Sequence, residues 1–198
     1  MEFAQVVRRR RMVRRYRPDP VDPGKLERIM QAARRAPSAG FSQGQSFVVV
    51  QQEELRRRIA EIAGEPGYVA RGFEPWLSVA PVHVVICTRE AAYRQRYREP
   101  DKLDSQGRAR RWPVPFWYVD AGCSLMLLLL AAVDEGLAAG FLGLSESRTA
   151  NIKELLGIPE SVLPVGLVTL GLPAPDRRSG SLKRGWNEPD SVIHWDRW

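Results

Sequence analysis

A nearly continuous apolar run at residues 125–133 limits this chain more than any other feature of its sequence. The order Leu-Met-Leu-Leu-Leu-Leu-Ala-Ala-Val contains no polar stripe, and it lies inside a predicted helix over residues 117–135 that Gly136 ends. A helix that is apolar all round must be buried on every side. The run is much shorter than the ~20 residues of a membrane span, and Asp134 and Glu135 close it. We therefore expect a core helix and no membrane segment.

Hydrophobic periodicity predicts helices that alternate with a few short strands. Asp22 is a predicted N-cap, with Pro23 at the first helical position. Residues 66–81 have no clear period, and residues 89–115 form a polar, arginine-rich excursion whose role the sequence does not give. The order favours an α+β fold with a small mixed or antiparallel sheet flanked by helices. Helices are predicted over residues 2–11, 23–36, 53–63 and 150–156, strands over 47–50, 82–87 and 165–170, and a short apolar stretch over 140–144.

The organisation of the chain points to one domain over residues 1–198, since no internal repeat or low-complexity linker interrupts it. Residues 172–198 are rich in proline and charge and have no core of their own, so we expect them to wrap a partner subunit. A homodimer would also bury the long apolar helix. The N-terminus has no long apolar signal region, and Cys87 and Cys123 lack paired spacing. These features predict a cytoplasmic protein.

The net charge of +7 is concentrated near the N-terminus, where seven arginines lie between Arg8 and Arg17. Such a cluster predicts an anionic ligand. Nucleic acid is one alternative, because basic arms bind phosphate backbones. No recognised nucleic-acid motif follows the arm, however, and the remaining sequence mixes acids with bases. The planar guanidinium fork suits the phosphate of a small ligand equally well.

The common catalytic and nucleotide-binding motifs are missing from the sequence. It contains no glycine-rich dinucleotide fingerprint, no Walker motif, no nucleophile elbow and no pair of carboxylates suited to acid and base roles. His83 and His194 have no metal-ligand pattern around them, so we predict no metal. No catalytic side chain is predicted either. If the chain is an enzyme, a cofactor carries its chemistry.

Four features in order along nearly the whole chain point to one cofactor. The first is Arg-Arg-Met-Val-Arg-Arg-Tyr at residues 10–16, just before a Pro-Asp-Pro turn. It resembles the opening Arg-Arg-Ser-x-Arg-x-Phe/Tyr motif of the FMN-dependent nitroreductase family. The resemblance implies that Arg10, Arg11 and Arg14 hold the phosphate and ribityl chain of FMN. Met12 replaces the usual serine, so one hydroxyl donor is missing.

The second feature is the sequence Ala-Pro-Ser-Ala-Gly-Phe-Ser-Gln-Gly-Gln at residues 36–45. It is similar to the family's Ala-Pro-Ser-x-x-Asn-x-Gln-Pro-Trp loop, which lies along the flavin ring. Phe41 replaces the asparagine, and Gly44 and Gln45 replace Pro-Trp. These departures concern the ring contacts and the substrate face. The residues that the resemblance places at the flavin are Pro37, Ser38, Ala39, Gly40 and Gln43.

The other two features lie in the C-terminal half. Residues 120–143 resemble the family's long helix with the turn and strand that follow it, which implies a dimer interface along the helix and places Leu142 and Gly143 near the flavin. Lys183 and Arg184 resemble the C-terminal basic residue that closes on the phosphate. Their spacing does not decide between the two.

The resemblance implies an FMN enzyme with a nitroreductase-like fold and its flavin at the interface of a homodimer. NADH or NADPH would reduce the flavin, which would then reduce a small-molecule acceptor such as a nitroaromatic or a quinone. The family also contains members that dehalogenate, dehydrogenate or fragment flavin, or that use a deazaflavin, and the unusual residues 41–45 keep this alternative open. A non-catalytic module for anionic ligands or nucleic acid is the third hypothesis.

Overall fold

A computed structural model describes residues 1–110, 112–176 and 179–198. Over these residues the chain forms seven α-helices and four strands. The helices are α1 (Phe3–Arg9), α2 (Pro23–Ala33), α3 (Glu53–Ile62), α4 (Glu65–Val69), α5 (Glu90–Arg96), α6 (Phe116–Asp134) and α7 (Glu146–Leu156). The strands are β1 (Gln45–Val50), β2 (Val82–Thr88), β3 (Ala138–Leu142) and β4 (Leu163–Gly171).

The four strands form one antiparallel sheet in the order β1-β2-β4-β3. Every residue of β2 is buried, as expected for a strand covered on both faces. Val85 and Cys87 belong to a core with α3 and α7, whereas Val84 and Ile86 belong to a core with α2 and α6. The expected α+β fold is confirmed, and of the two predicted kinds of sheet, mixed or antiparallel, the structure has the antiparallel one.

The start of α2 follows the prediction, and its end does not. The Asp22 carboxylate accepts a 2.9 Å hydrogen bond from the backbone N–H of Lys25, which satisfies a free donor of the first turn. The helix ends at Ala33, not at residue 36. Arg35 N–H and Ala36 N–H bond only three residues back along the chain, which tightens the last turn before Pro37.

Helix α6 is long and central, but one chain does not bury it on every side. Ala121, Leu128 and Ala132 are fully buried against the sheet and α2. On the opposite side, Val119 is 46% exposed and Met126 44% exposed. The expectation of burial all round is therefore wrong for the isolated chain. Among the described residues, α6 also has the length and apolar composition of a membrane-spanning helix.

Several segments differ from their predicted bounds. Helix α1 ends at Arg9 and not at residue 11, so Arg10 and Arg11 lie outside it. Helix α7 begins at Glu146 and not at residue 150. The segment without a period contains α4, and the arginine-rich excursion contains α5. After the short 3₁₀ turns Gly180–Arg184 and Pro189–Ser191, the chain ends in an exposed stretch.

Candidate functional site

The arginine segment, residues 10–17, is tied to the protein by its backbone. Val13 N–H donates to the carbonyl of Ala139 in β3 over 2.9 Å. Arg17 N–H donates to Leu172 over 2.9 Å, and the Arg15 carbonyl accepts from Ala174 over 3.2 Å. Extended backbone that is bonded at several points presents its side chains in fixed directions. The segment is therefore a prearranged platform of basic residues.

Tyr16 anchors this segment from inside. Its hydroxyl lies 2.9 Å from the Val13 carbonyl, to which it donates, and 2.8 Å from the Thr169 hydroxyl in β4. Burial raises the pKa of Tyr16 well above its ordinary value, so the hydroxyl remains a donor. A methyl group on Gly140 would come within 2.4 Å of the Val13 carbonyl oxygen. Only glycine permits this close approach of the segment to β3.

The arginine side chains divide into paired and unpaired groups. Arg15 forms an ion pair with Glu74 at 3.2 Å, and Arg17 forms one with Asp19 at 2.9 Å. Arg14 is exposed, and its guanidinium carbon lies 5.7 Å from the centre of the Trp76 ring. Half-buried Arg10 and exposed Arg11 make no ion pair with a described residue. Their guanidinium groups are available to an external anion.

A second predicted group forms the serine loop, residues 37–44, which leads into β1. Ala39 N–H donates to the carboxylate of Asp120 in α6 over 2.9 Å, and Gln43 N–H donates to the Ser38 hydroxyl over 3.0 Å. Phe41 and Gln43 have φ values of 58° and 48°. Left-handed backbone at residues other than glycine is strained and concentrates at ligand-binding sites.

Helix α5 covers the serine loop, a contact that the sequence did not reveal. Arg96 donates from Nε to the Gly40 carbonyl over 2.9 Å. A methyl group on Gly40 would lie 3.0 Å from the Tyr97 ring, and one on Gly44 would lie 2.4 Å from the Tyr93 ring. Where the family has Pro-Trp, this chain therefore has Gly44 covered by Tyr93, a residue of the arginine-rich segment 89–115. The local signal for α5 was weak: one Glu90 to Arg94 pair at i,i+4 spacing.

One chain does not bring the arginine segment and the serine loop together. The serine loop meets α6 at Asp120, in its second turn, whereas Val13 meets Ala139, just beyond the end of the same helix. The N-terminal ammonium before α1 also pairs with Asp134 at that end. The 14 residues from Asp120 to Asp134 rise about 21 Å along the helix. Two predicted halves of a site therefore lie at opposite ends of α6.

The remaining predicted site residues lie near these groups or apart from them. Leu142 is half-buried at the end of β3, and Gly143 follows it on the surface. Lys183 and Arg184 are exposed in the turn Gly180–Arg184. Pro37 is exposed at the start of the serine loop. The described residues contain no group of three or more side chains arranged to hold a metal.

Two buried polar groups that sequence reasoning passed over organise the loop at Trp76, beside Arg14. The Glu65 carboxylate accepts from the N–H of Trp76 over 2.7 Å and from that of Leu77 over 2.6 Å. The His83 ring lies 2.8 Å from the Leu77 carbonyl. Burial lowers the pKa of His83 to about 4, so its ring is neutral near pH 7. These contacts join residues 6 to 12 positions apart that lie outside any shared helix or strand, so no periodic pattern predicts them.

Comparison with known proteins adds an independent observation. A family model described as "Nitroreductase family" matches residues 7–70 and 65–172. A protein of Archaeoglobus fulgidus named NADH dehydrogenase/NAD(P)H nitroreductase is 28% identical over 199 residues, which cover 100% of this chain and 99% of the relative. The FMN reductase [NAD(P)H] of Bacillus subtilis is 27% identical, over 83% of this chain and 63% of the relative.

The fold has solved counterparts. The structure of the NADPH:FMN oxidoreductase of Vibrio harveyi in complex with NAD⁺ aligns with a TM-score of 0.75 at 22% sequence identity. The alignment covers 99% of this chain and 77% of that one. At this identity the likeness establishes the fold and leaves activity to the chemistry of the site.

Proposed function

Because this chain belongs to the nitroreductase family, we propose that it is an FMN-dependent NAD(P)H oxidoreductase that reduces nitroaromatic, quinone or similar electron-poor compounds. Relatives named FMN reductase and NADPH-dependent oxidoreductase support this activity. Bound FMN would supply the two-step hydride chemistry, taking a hydride from NADH or NADPH and passing it to the acceptor. The side chains of this protein would bind, orient and stabilise charge.

The unpaired guanidinium groups of Arg10 and Arg11 are the observation that carries the proposal. Guanidinium forks bind phosphate through paired, charge-assisted hydrogen bonds. Arg14 adds a third cation beside the Trp76 ring. This donor set fits the terminal phosphate of FMN. Lys183 or Arg184, on the exposed tail, would close on the same phosphate from another side.

The serine loop fits the flat ring of the cofactor. Within it, the N–H groups of Ala39 and Gln43 are already bonded to Asp120 and Ser38. The Gly40 N–H and the side-chain amide of Gln43 make no hydrogen bond with a described residue. These two donors are the ones we assign to the ring. Hydrogen-bond donors that point at a reduced flavin ring stabilise the negative charge that develops on it.

A homodimer would complete the site. The exposed side of α6 carries apolar residues at the alternating spacing of four and three that is typical of paired helices: Val119, Cys123, Met126, Leu130 and Val133. If two copies of α6 cross about a two-fold axis perpendicular to them, the Asp120 end of one copy lies beside the Asp134 end of the other. The arginine segment of one subunit would then meet the serine loop of its partner.

The C-terminal tail supports the same arrangement within a one-domain subunit. Its tryptophans are exposed, with Trp186 at 89% and Trp195 at 84%. Large apolar side chains exposed along one segment mark an interaction surface. We propose that residues 172–198 wrap the partner subunit of a cytoplasmic dimer. We prefer a partner subunit to a lipid bilayer as the surface that covers α6. The strands β1 and β3 are both edge strands, and sheet edges do not occur in contact with hydrocarbon.

The test compares flavin content in matched variants. The purified wild-type protein should be yellow, and NADH or NADPH should bleach it under anaerobic conditions. Arg10→Ala combined with Arg14→Ala should raise the Kd for FMN at least about 100-fold, since charge-assisted hydrogen bonds contribute about 1.5–3 kcal/mol each. Arg8→Ala combined with Arg9→Ala removes the same charge from the exposed end of α1 and should keep the colour. Full retention of FMN by the first variant would contradict the phosphate assignment.

A further inference from the structure

We infer that the cleft beside α5 binds the second substrate as a flat aromatic ring that carries an anionic group, and that Arg98 and Arg110 select this charge. The inference rests on the proposed function, since it names the acceptor class of that enzyme. The cleft has a volume of about 1140 Å³ and lies between α5, the start of α6 and the loop that joins them. This volume accommodates a ring system of several fused or linked rings.

Aromatic side chains form the walls of the cleft. Tyr97 and Trp112 meet edge to face with their ring centres 5.1 Å apart, and Trp112 meets Phe116 in the same way at 4.8 Å. Tyr93 and Trp117 form a second pair at 6.3 Å. Flat, rigid rings bind other flat rings by stacking and by edge contacts at low entropic cost. The walls therefore favour an aromatic ligand over a flexible aliphatic one.

The charge of the lining is strongly positive. Among the described residues, four arginines and a single carboxylate, that of Asp104, line the cleft. Arg94 is paired with Glu90, and Arg108 is paired with Asp104. Arg98 and Arg110 make no ion pair with a described residue, and Arg110 lies over the Trp112 ring at 5.8 Å. A guanidinium held on an aromatic face is well placed to bind a carboxylate or sulfonate on a ring stacked there.

Buried donors in the same cleft lack partners. The Tyr93 hydroxyl and the Trp117 indole N–H are buried, and neither makes a hydrogen bond of good geometry with a described residue. Burial and the nearby Asp120 carboxylate raise the pKa of Tyr93, so its hydroxyl keeps its proton. Tyr93 as a whole is only 4% exposed. Buried polar groups are nearly always hydrogen-bonded, and an exception calls for a ligand or a bound water. Both residues line the cleft, and an oxygen of a bound ligand would reach these two donors only after a side-chain movement.

The position of the cleft relates it to the flavin loop. Tyr93 and Tyr97, which line the cleft, also cover Gly44 and Gly40 of the serine loop. Arg96, between them on α5, bonds to the Gly40 carbonyl. A ligand in the cleft therefore lies one side chain away from the loop that we assign to the flavin ring. Because the cleft adjoins that loop, we assign it to the acceptor.

The experiment uses two flat probes that differ in charge, 4-nitrobenzoate and 4-nitrobenzamide. Binding of each probe to the oxidised flavoprotein is measured by quenching of tryptophan fluorescence, and turnover is measured with NAD(P)H. We expect the benzoate to bind about tenfold more tightly. Arg98→Gln and Arg110→Gln should each raise its Kd about tenfold and change that of the benzamide less than twofold. Arg98→Lys should retain part of the preference, and Arg58→Gln on α3 should leave both Kd values unchanged.

Equal affinity for the two probes, or a benzoate Kd that neither cleft variant changes, would overturn the inference. If the variants raise KM for NADPH alone and leave the benzoate Kd unchanged, the two arginines bind a phosphate of NADPH. The assignment of the cleft to the acceptor then fails. The proposed function fails separately: a colourless protein, or one that reduces neither probe, contradicts it. Because the binding comparison needs no turnover and can be repeated on a protein without flavin, it decides the cleft in either case.

Discussion

The backbone N–H of Val13 donates to the carbonyl of Ala139 over 2.9 Å, and this bond fixes the arginine segment against the start of β3. Its neighbour Gly140 leaves no room for a side chain, because an added methyl would lie 2.4 Å from the Val13 carbonyl oxygen. The position of the arginines that we propose to bind phosphate thus depends on Gly140, which is not among the proposed ligands.

Gly140→Ala should weaken FMN binding without removing any predicted ligand. The new methyl forces the arginine segment away from β3, so we expect the Kd for FMN to rise about tenfold and the free energy of unfolding to fall by about 1–3 kcal/mol. The Kd for FMN is measured from the fluorescence of flavin released on dilution. The free energy of unfolding is measured by urea unfolding. Gly67→Ala is the matched control, since no atom lies within 4 Å of its added methyl. An unchanged Kd in Gly140→Ala would show that the segment need not sit against β3.

Acidification should destabilise the protein through His83. Burial lowers the pKa of this ring from 6.5 to about 4, so the unfolded chain takes up a proton near pH 6.5 that the folded protein takes up only near pH 4. Stability from this group is fully present above pH 6.5 and is lost as the pH falls toward 4. The loss amounts to about 3 kcal/mol. Urea unfolding at several pH values between 7 and 4, with FMN held constant, measures it.

His83→Gln should lower the free energy of unfolding at neutral pH. The slope of that free energy against pH between 6.5 and 4, expressed as the number of protons taken up on unfolding, should fall by up to one. His194→Gln, at an exposed position in the tail, should leave that slope unchanged. Parallel slopes for wild type and His83→Gln would assign the acid sensitivity to other groups.

Met126→Glu should convert the proposed dimer to a monomer. Met126 is 44% exposed in the centre of the apolar side of α6, and a carboxylate there would face its own copy across a two-fold axis. We expect light scattering to give the mass of one chain, and the protein to lose FMN with the partner's half of the site. Val69→Glu introduces the same charge at a position that is 42% exposed in α4 and should remain dimeric. If the Met126→Glu protein is still yellow and dimeric, the dimer interface does not lie on this side of α6.

Local patterns predicted the elements that depend on nearby residues. The strand predicted over residues 82–87 is β2, Val82–Thr88, because β-branched and apolar residues fill most of this short run. Asp22 caps α2 as predicted. Helix ends were less accurate: α7 begins at Glu146, four residues early, since the polar first turn after Ser145 carries no apolar period.

Contacts between distant residues were beyond sequence reasoning. Glu65 holds the backbone of Trp76 and Leu77, and Arg96 holds Gly40, yet neither charged side chain belongs to a motif or a periodic face. Such partners are chosen when segments meet in the folded chain. Asp120 was predicted only in part. The sequence placed it in the motif of the long helix, but nothing in the sequence indicated its hydrogen bond with Ala39 N–H.

The sequence by itself determined the family, the α+β class and the kinds of residue available for a phosphate and a flat ring. These follow from local order, since motifs and apolar periods are written along the chain. The tertiary structure alone decided that the serine loop and the arginine segment attach at opposite ends of α6, whose axis rises about 21 Å from Asp120 to Asp134. The physical reason is the rigid rise of that helix between the two attachment points. We therefore propose that a second copy of the chain joins the two halves of the proposed site.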